Sequence, residues 1–277
     1  MMEENKMGYL YNRSYTAVTL ENVHDHIDHI INWIKDYFVN NGPNSKAVIG
    51  ISGGKDSTIA AALCVRALGS HRVFGVLMPQ GNQSDIDDSY KVVKALGIPH
   101  CEINIGSTVN SLYSAIDTAY DYDKTIASNP VVATNTPARI RMTLLYAMSA
   151  EIGGRVCNTC NLSEDYVGYS TKFGDAAGDF SPLANYTVRD LLVIGSALDE
   201  FPSELIYKKP ADGMCGKTDE ENLGFTYDTL DSYILDGVIP TYEEYLTITK
   251  LHKQNQHKVQ KMPVCRRYDS RDDYYSF

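Results

Sequence analysis

Ala47-Val-Ile-Gly-Ile-Ser-Gly-Gly-Lys-Asp-Ser-Thr58 decides the reading of this chain. Its β-branched run (Val48, Ile49, Ile51) predicts a buried parallel strand. The run breaks at Ser52-Gly53-Gly54 and resumes as a helical pattern from Asp56 through Arg66. Glycines at such a break let the backbone approach a ligand and turn its N–H groups towards it. The following helix aims the positive end of its dipole at the same point, which suits an anionic oxygen, above all a phosphate. The Walker pattern, a Gly-Lys pair followed by Ser or Thr at the end of a longer loop, is absent.

The flanks extend this strand–loop–helix unit. Upstream, Leu20 to Phe38 carries Val23, Ile27, Ile30, Ile31, Ile34 and Phe38 at helical spacing. His24, His26 and His29 fall on the solvated side of that helix without a partner cysteine and are not read as metal ligands. Downstream come a Ser57–Leu68 helix and a strand over Arg72–Met78. Ser84 reads as the N-cap of a helix opening with Asp85, Asp87 and Asp88, carboxylates that suit a helix N-terminus. His100–Ile105 reads as a third strand, Val109–Tyr120 as a helix, and Asn135–Ala150 as a strong helix with Ile140, Leu144, Ala147 and Met148 on one side. Gly153-Gly154 stops that helix, and Arg155-Val-Cys157 is a fourth strand.

Strands separated by helices of this length predict an α/β fold, a doubly wound parallel sheet with flanking helices. Ligands in such sheets sit beyond the carboxyl ends of the strands. Gly53-Gly54, Gln80-Gly81 and Thr159 all fall there. From Tyr166 the chain turns polar, and the long segment Ser170–Asp179 is expected to be functional. Helices are expected at Thr187–Ala197, Tyr227–Leu235 and Tyr242–Gln254. Without repeats or linkers, residues 1–277 are expected to form a single domain.

Composition excludes several classes. A formal net charge of −10 over 277 residues argues against a nucleic-acid partner, which needs a basic face. No run of about 18 apolar residues exists to span a membrane, and the N-terminus lacks the pattern of a secretion signal. The six cysteines (Cys64, Cys101, Cys157, Cys160, Cys215, Cys265) follow no framework spacing, which fits reduced thiols and a cytoplasmic location. Cys157 and Cys160 form a Cys-x-x-Cys pair. Cys157 closes a Val-rich stretch, which favours a small buried residue at a strand end over a redox or sulfur-transfer site.

Ser-Gly-Gly-x-Asp-Ser resembles the pyrophosphate loop of the N-type ATP pyrophosphatases, whose fold is adenine-nucleotide alpha-hydrolase-like. Further stretches narrow the resemblance. Asn135-Thr-Pro-Ala-Arg-Ile-Arg-Met142, Thr159 with Glu164, Thr171-Lys-Phe-Gly-Asp175, Asp179 with Pro182-Leu183, Thr218-Asp-Glu, Leu223-Gly224, Tyr227 and Asp231, and His257-Lys258 occur in the order of the NAD synthetases. The chain resembles the ammonia-dependent members of that family from about Val48 to Lys258.

The resemblance implies that ATP, ammonia and deamido-NAD (nicotinic acid adenine dinucleotide) give NAD, AMP and pyrophosphate through an adenylated carboxylate. It implies ATP contacts at Gly50, Ile51, Ser52, Gly53, Gly54, Lys55, Asp56, Ser57 and Thr159, and Mg²⁺ on Asp56 and Glu164. It places deamido-NAD on Arg139, Lys172, Asp179, His257 and Lys258, with Asp56, Lys55 and Lys172 closest to the chemistry. It also implies a homodimer, for which the apolar helix within residues 20–39 is the candidate contact. No glutamine-hydrolysing domain is expected.

There are departures. Val188 falls where many relatives carry an ATP-contacting lysine, Ala211 where Thr or Ser is usual, Asn158 for the glycine before Thr159, and Cys160-Asn161 for Asp-His. Two rival readings stay open: a tRNA-thiolating enzyme using Cys157 and Cys160, and a non-catalytic nucleotide sensor. The Ser170–Gly178 and Ala211–Asp219 segments are candidates for closure over ligand.

Overall fold

Alternate residues of the first strand serve opposite cores: Ala47 and Ile49 pack into one apolar cluster and Val48 into another. A strand buried on both faces must sit inside its sheet with helices on either side. The computed structural model, which describes residues 15–120, 124–207 and 218–265, has this arrangement. Strands β1 (Lys46–Gly50), β2 (Val73–Leu77), β3 (His100–Glu102) and β4 (Gly154–Val156) form a four-stranded sheet in the order β3-β2-β1-β4. Every pairing is parallel, with Ile49 opposite Gly75 and Val48 opposite Val156. The chain leaves β1 to build β2 and β3 on one side, then returns to add β4 on the other. The strand order therefore reverses between β1 and β4, where their carboxyl ends diverge and leave room for a ligand.

Helix α1 (Val23–Asn41) packs on one face beside α2 (Lys55–Leu68). The α1 stripe Val23, Ile27, Ile30, Ile34 and Phe38 is at most 2% exposed. Each such side chain contributes about 1.5–3 kcal/mol to this core. The stripe is buried within the chain, where α2 and α7 offer it an apolar bed, while Trp33 and Val39 of the same helix stay exposed. On the same side lie α3 (Ile86–Leu96), α7 (Val188–Ser196) and α8 (Glu204–Tyr207). On the opposite face, α4 (Gly106–Ala119) and α5 (Pro130–Ile152) contribute Val109, Ile140, Met142 and Leu145. A third cluster joins α6 (Leu162–Val167) to α9 (Asp219–Leu223), α10 (Tyr227–Asp236) and α11 (Tyr242–Val259).

Local expectations were displaced at three points. Helix α5 begins five residues before Asn135, because Asn129 accepts the Val131 N–H and Pro130 occupies the first turn. Pro137 is buried inside the helix, and Ala147 faces outward while Met142 and Leu145 are buried. Helix α3 is preceded by Asp85, not Ser84, and the Asp85 side chain accepts from Gln83 at 2.8 Å instead of capping. The third strand stops at Glu102, and Ile105 becomes the residue before α4. The expectations for Cys215, Ala211 and most of the Ala211–Asp219 segment lie outside the described residues.

Candidate active site

The loop between β1 and α2 is closed by its own hydroxyls. Ser52 N–H donates to Ser57 Oγ at 3.3 Å, the two serine hydroxyls lie 3.1 Å apart, and Gly54 N–H donates to Ser52 Oγ at 3.2 Å. The Ser57 and Thr58 hydroxyls return to the Gly54 carbonyl at 3.2 and 2.8 Å. Gly53 has φ +77°, and a Cβ there would lie 2.7 Å from Asp88 Cβ and 2.8 Å from Ser89 N. Only glycine combines that dihedral with so close an approach of α3. The opening amides of α2 have no intrahelical acceptor and border the cleft, which makes an anion site of backbone dipoles.

Across the cleft, α6 follows β4. Asn161 caps it: its Oδ1 accepts Glu164 N–H at 3.0 Å while Glu164 Oε2 accepts Asn161 N–H at 3.1 Å. The remaining Asn161 group, Nδ2, donates to Asp56 Oδ1 at 3.2 Å. One buried residue thus holds carboxylates on two separate elements, that of Asp56 through its side-chain amide and that of Glu164 through its backbone N–H. Ser52, Gly54, Asp56 and Ser57 from one side and Thr159, Cys160, Glu164 and Asp175 from the other line a cleft of about 180 Å³.

Charge in this cleft is unbalanced. Lys55 is 4% exposed and its Nζ lies 2.9 Å from Asp56 Oδ2. Burial pulls its pKa down, but Asp56, then Glu164 and Asp219, more than offset that, so the ammonium is held on. Glu164 is pushed well above the usual carboxylate range, mainly by desolvation and then by Asp56. With one ammonium among three carboxyl groups, a bound cation would hold Glu164 in its charged form. Among the described residues no three His, Cys, Asp or Glu side chains form a ready metal cage. Two carboxylates with the rest of the shell left to phosphate and water is the manner in which Mg²⁺ is usually held, so Asp56 and Glu164 fit it.

The expected dinucleotide contacts gather around the segment after α6. Arg139 Nε donates to the Lys172 carbonyl at 3.2 Å, Lys172 Nζ to the His257 carbonyl at 2.5 Å, and Lys258 Nζ to the Gly168 carbonyl at 2.7 Å. Phe173, at φ +63° and 68% exposed, forms the tip of this segment. Asp179 stands apart from the other four. Its Oδ2 accepts Val156 N–H at 2.7 Å and its Oδ1 the Tyr146 hydroxyl at 3.3 Å, so it caps the end of β4. Gly50 still belongs to β1, and Ile51 offers little to a ligand: its side chain is in the core and its N–H bonds Val76. Val188 is buried in the α6–α10 cluster, its N–H donating to Ser163 Oγ at 3.0 Å.

Three residues around the cleft were given no role from the sequence. Arg141 has its guanidinium largely desolvated, which lowers its pKa, and it bonds the Met78 carbonyl at 3.1 Å. Asn161 was a departure from a pattern, and Tyr227 matched one with no role attached to it. Cys157 and Cys160 are buried, and desolvation raises both thiols well above their ordinary range. That agrees with the structural reading of the pair.

A parallel sheet with an anion-binding loop at its switch point, facing two carboxylates, defines a nucleotide-using α/β enzyme of the ATP pyrophosphatase type. The profile of the NAD synthase family matches residues 26–271. The ammonia-dependent NAD synthetase of Pyrococcus furiosus is 33% identical over 246 residues, covering 84% of this chain and 92% of that protein. The structure of an NMN synthetase from Francisella tularensis superposes with a TM-score of 0.79 at 30% identity, covering 88% of this chain and 98% of the other. That of the ammonia-dependent NAD synthetase from Campylobacter jejuni gives 0.69 at 25% identity, over 90% of this chain and all of that one. The chain belongs to the NAD synthase family, and its activity is that of an ammonia-dependent NAD synthetase, a ligase at the final step of NAD biosynthesis.

Proposed function

We propose that the cleft activates the nicotinate carboxylate of deamido-NAD with ATP and delivers it to ammonia. The observation that carries this reading is the meeting of the Ser52–Ser57 loop with Asp56 and Glu164 at one switch point. A carboxylate is a poor acyl donor because its leaving group would be oxide. Transfer of AMP to it creates a good leaving group, and ammonia then displaces AMP through a tetrahedral intermediate. The first step moves negative charge onto pyrophosphate, which the loop amides, the Ser52 and Ser57 hydroxyls and the Lys55 ammonium receive. Thr159, on the opposite wall, contacts ATP. Mg²⁺ held by Asp56 and Glu164 would supply further charge neutralisation at the phosphates.

Arg139, Lys172, His257 and Lys258 surround one segment and hold deamido-NAD. Asp179 reaches the same ligand only by giving up part of its role at β4. Lys172 lies nearest the reacting carboxylate. Pyrophosphate release that needs ATP, Mg²⁺ and deamido-NAD together, with NAD formed only when ammonium is added, tests this; release without deamido-NAD, or none at all, refutes it.

The likeness to the Francisella tularensis NMN synthetase favours one second reading, in which nicotinate mononucleotide is the acceptor. The reacting carboxylate is the same and only the far half of the ligand differs. Comparing kcat/KM for the two acceptors separates them. A homodimer remains part of the proposal. With the α1 stripe buried, the outer face of α1, where Trp33 and Val39 are exposed, and the exposed Leu112, Val131 and Tyr146 on α4 and α5 are the candidates for its contact. A monomeric mass in light scattering at micromolar concentration would remove it. Cys64, Cys101, Cys157 and Cys160, none of them in a disulfide, support a reducing, cytoplasmic setting, and no described helix is long and apolar enough to cross a membrane.

A further inference from the structure

Tyr227 is the first residue of α10 and only 4% exposed, yet among the described residues its hydroxyl has no hydrogen-bond partner. A buried phenol normally finds one, so an orphan points to a group that arrives later. The ring is fixed in place. Tyr227 N–H donates to Glu220 Oε1 at 2.9 Å, Thr226 caps the helix, and Val188, Leu223 and Leu230 share its apolar cluster.

The surroundings identify the missing partner. The Lys55 ammonium lies 6.0 Å from the ring centroid and 2.9 Å from Asp56 Oδ2, so the ring stands beside the ammonium that pairs with a cleft-lining carboxylate. Desolvation, followed by Glu164, Asp219 and Asp56, raises the hydroxyl far above the ordinary tyrosine range. It is therefore a permanently neutral donor and neither a base nor a nucleophile. Asp56 is already bonded to Lys55 and Asn161, and Glu164 to the Asn161 amide. A neutral donor beside an ammonium and a loop of backbone amides has an anionic oxygen as its natural acceptor.

Resting on the ATP-dependent reading above, we propose that the Tyr227 hydroxyl donates a hydrogen bond to the pyrophosphate portion of bound ATP and retains the departing product. The contact is absent until ligand arrives, so the empty protein carries a buried hydroxyl that weakens it. Local rules are broken in this way at functional sites.

The test is Tyr227→Phe, which keeps the ring and removes only the hydroxyl. Magnesium pyrophosphate and AMP are titrated separately into wild type and variant by calorimetry, and the thermal midpoint of each ligand-free protein is recorded. The variant is expected to bind magnesium pyrophosphate about tenfold or more weakly, to bind AMP within about twofold of wild type, and to melt at the same or a higher temperature. Equal pyrophosphate affinity overturns the inference. So does equal weakening towards AMP, or a lowered midpoint, which would reveal a structural partner for the hydroxyl. If wild type itself fails to bind magnesium pyrophosphate, the ATP-dependent reading falls with it.

Discussion

Asn161 Nδ2 donates to Asp56 Oδ1 at 3.2 Å, joining the cap of α6 to the first turn of α2 across the diverging ends of β1 and β4. The same side chain accepts from Glu164 N–H, so the spacing of the two proposed metal carboxylates depends on one amide that is 0% exposed. Positioning of this kind is bought with a buried polar group, which is costly unless every bond is made.

Replacing Asn161 with alanine removes both bonds at once. Stability should fall by about 1–2 kcal/mol from the lost cap. The Mg²⁺ concentration for half-maximal rate should rise by roughly tenfold. Urea denaturation and a Mg²⁺ titration of turnover measure the two effects. An unchanged Mg²⁺ requirement would mean that Asp56 and Glu164 need no common anchor.

Gly53 and Gly97 both have positive φ, but they differ in space. A Cβ at Gly53 would meet Asp88 and Ser89, while at Gly97 nothing lies within 4 Å. Gly97→Ala should cost only the left-handed penalty, about 1 kcal/mol, and keep full turnover. Gly53→Ala adds a clash with α3, so the loop must shift; turnover should drop by about a hundredfold or more, in keeping with loss of oriented backbone donors. Comparable activity in the two variants would remove the loop from the mechanism.

The thiols separate this enzyme from a sulfur carrier. Cys265 is exposed, whereas Cys64, Cys157 and Cys160 are buried. Alkylation of the native protein followed by peptide mass mapping should modify Cys265 well before those three. Changing Cys157 and Cys160 together to alanine should leave turnover within several-fold of wild type, after allowing for a loss of core packing. Abolished turnover in a folded double variant would revive the thiolation reading.

Asp231 gives a pH signature. It is 1% exposed, accepts from Ser163 Oγ and Arg189 N–H, and burial raises its pKa to about 6 against those bonds. With its unfolded value near 3.8, the native state holds the proton more tightly. The stability it contributes is full below about pH 4 and is lost as pH rises through about 6. Between about pH 5 and 7.5 that loss amounts to roughly 1–1.5 kcal/mol. Asp231→Asn should lack this component, so the stability difference between wild type and variant should change with pH over that window. A difference that stays constant would place the Asp231 pKa near its ordinary value.

Local patterns were strong where periodicity and backbone chemistry coincide. Val48-Ile49 is a buried run and Gly53-Gly54 a break that only glycine tolerates, so strand, loop and helix were legible from neighbours alone. The α1 stripe was legible as an apolar face, but spacing says nothing of what covers it. Helix α5 runs back past Pro137 to Pro130, because tertiary packing tolerates the buried proline ring inside it.

The order of β1, the phosphate-type loop, the doubly wound class and the family follow from the chain's own succession of residues, because each rests on contacts between close neighbours or on motifs in sequence. Only the fold brings Asn161 to Asp56, closes Tyr227 over Lys55 without giving its hydroxyl a partner, and sets Asp179 at the end of β4. Those contacts join residues tens to more than a hundred and fifty positions apart. Their energies depend on burial and on three-dimensional distance, which no local pattern encodes.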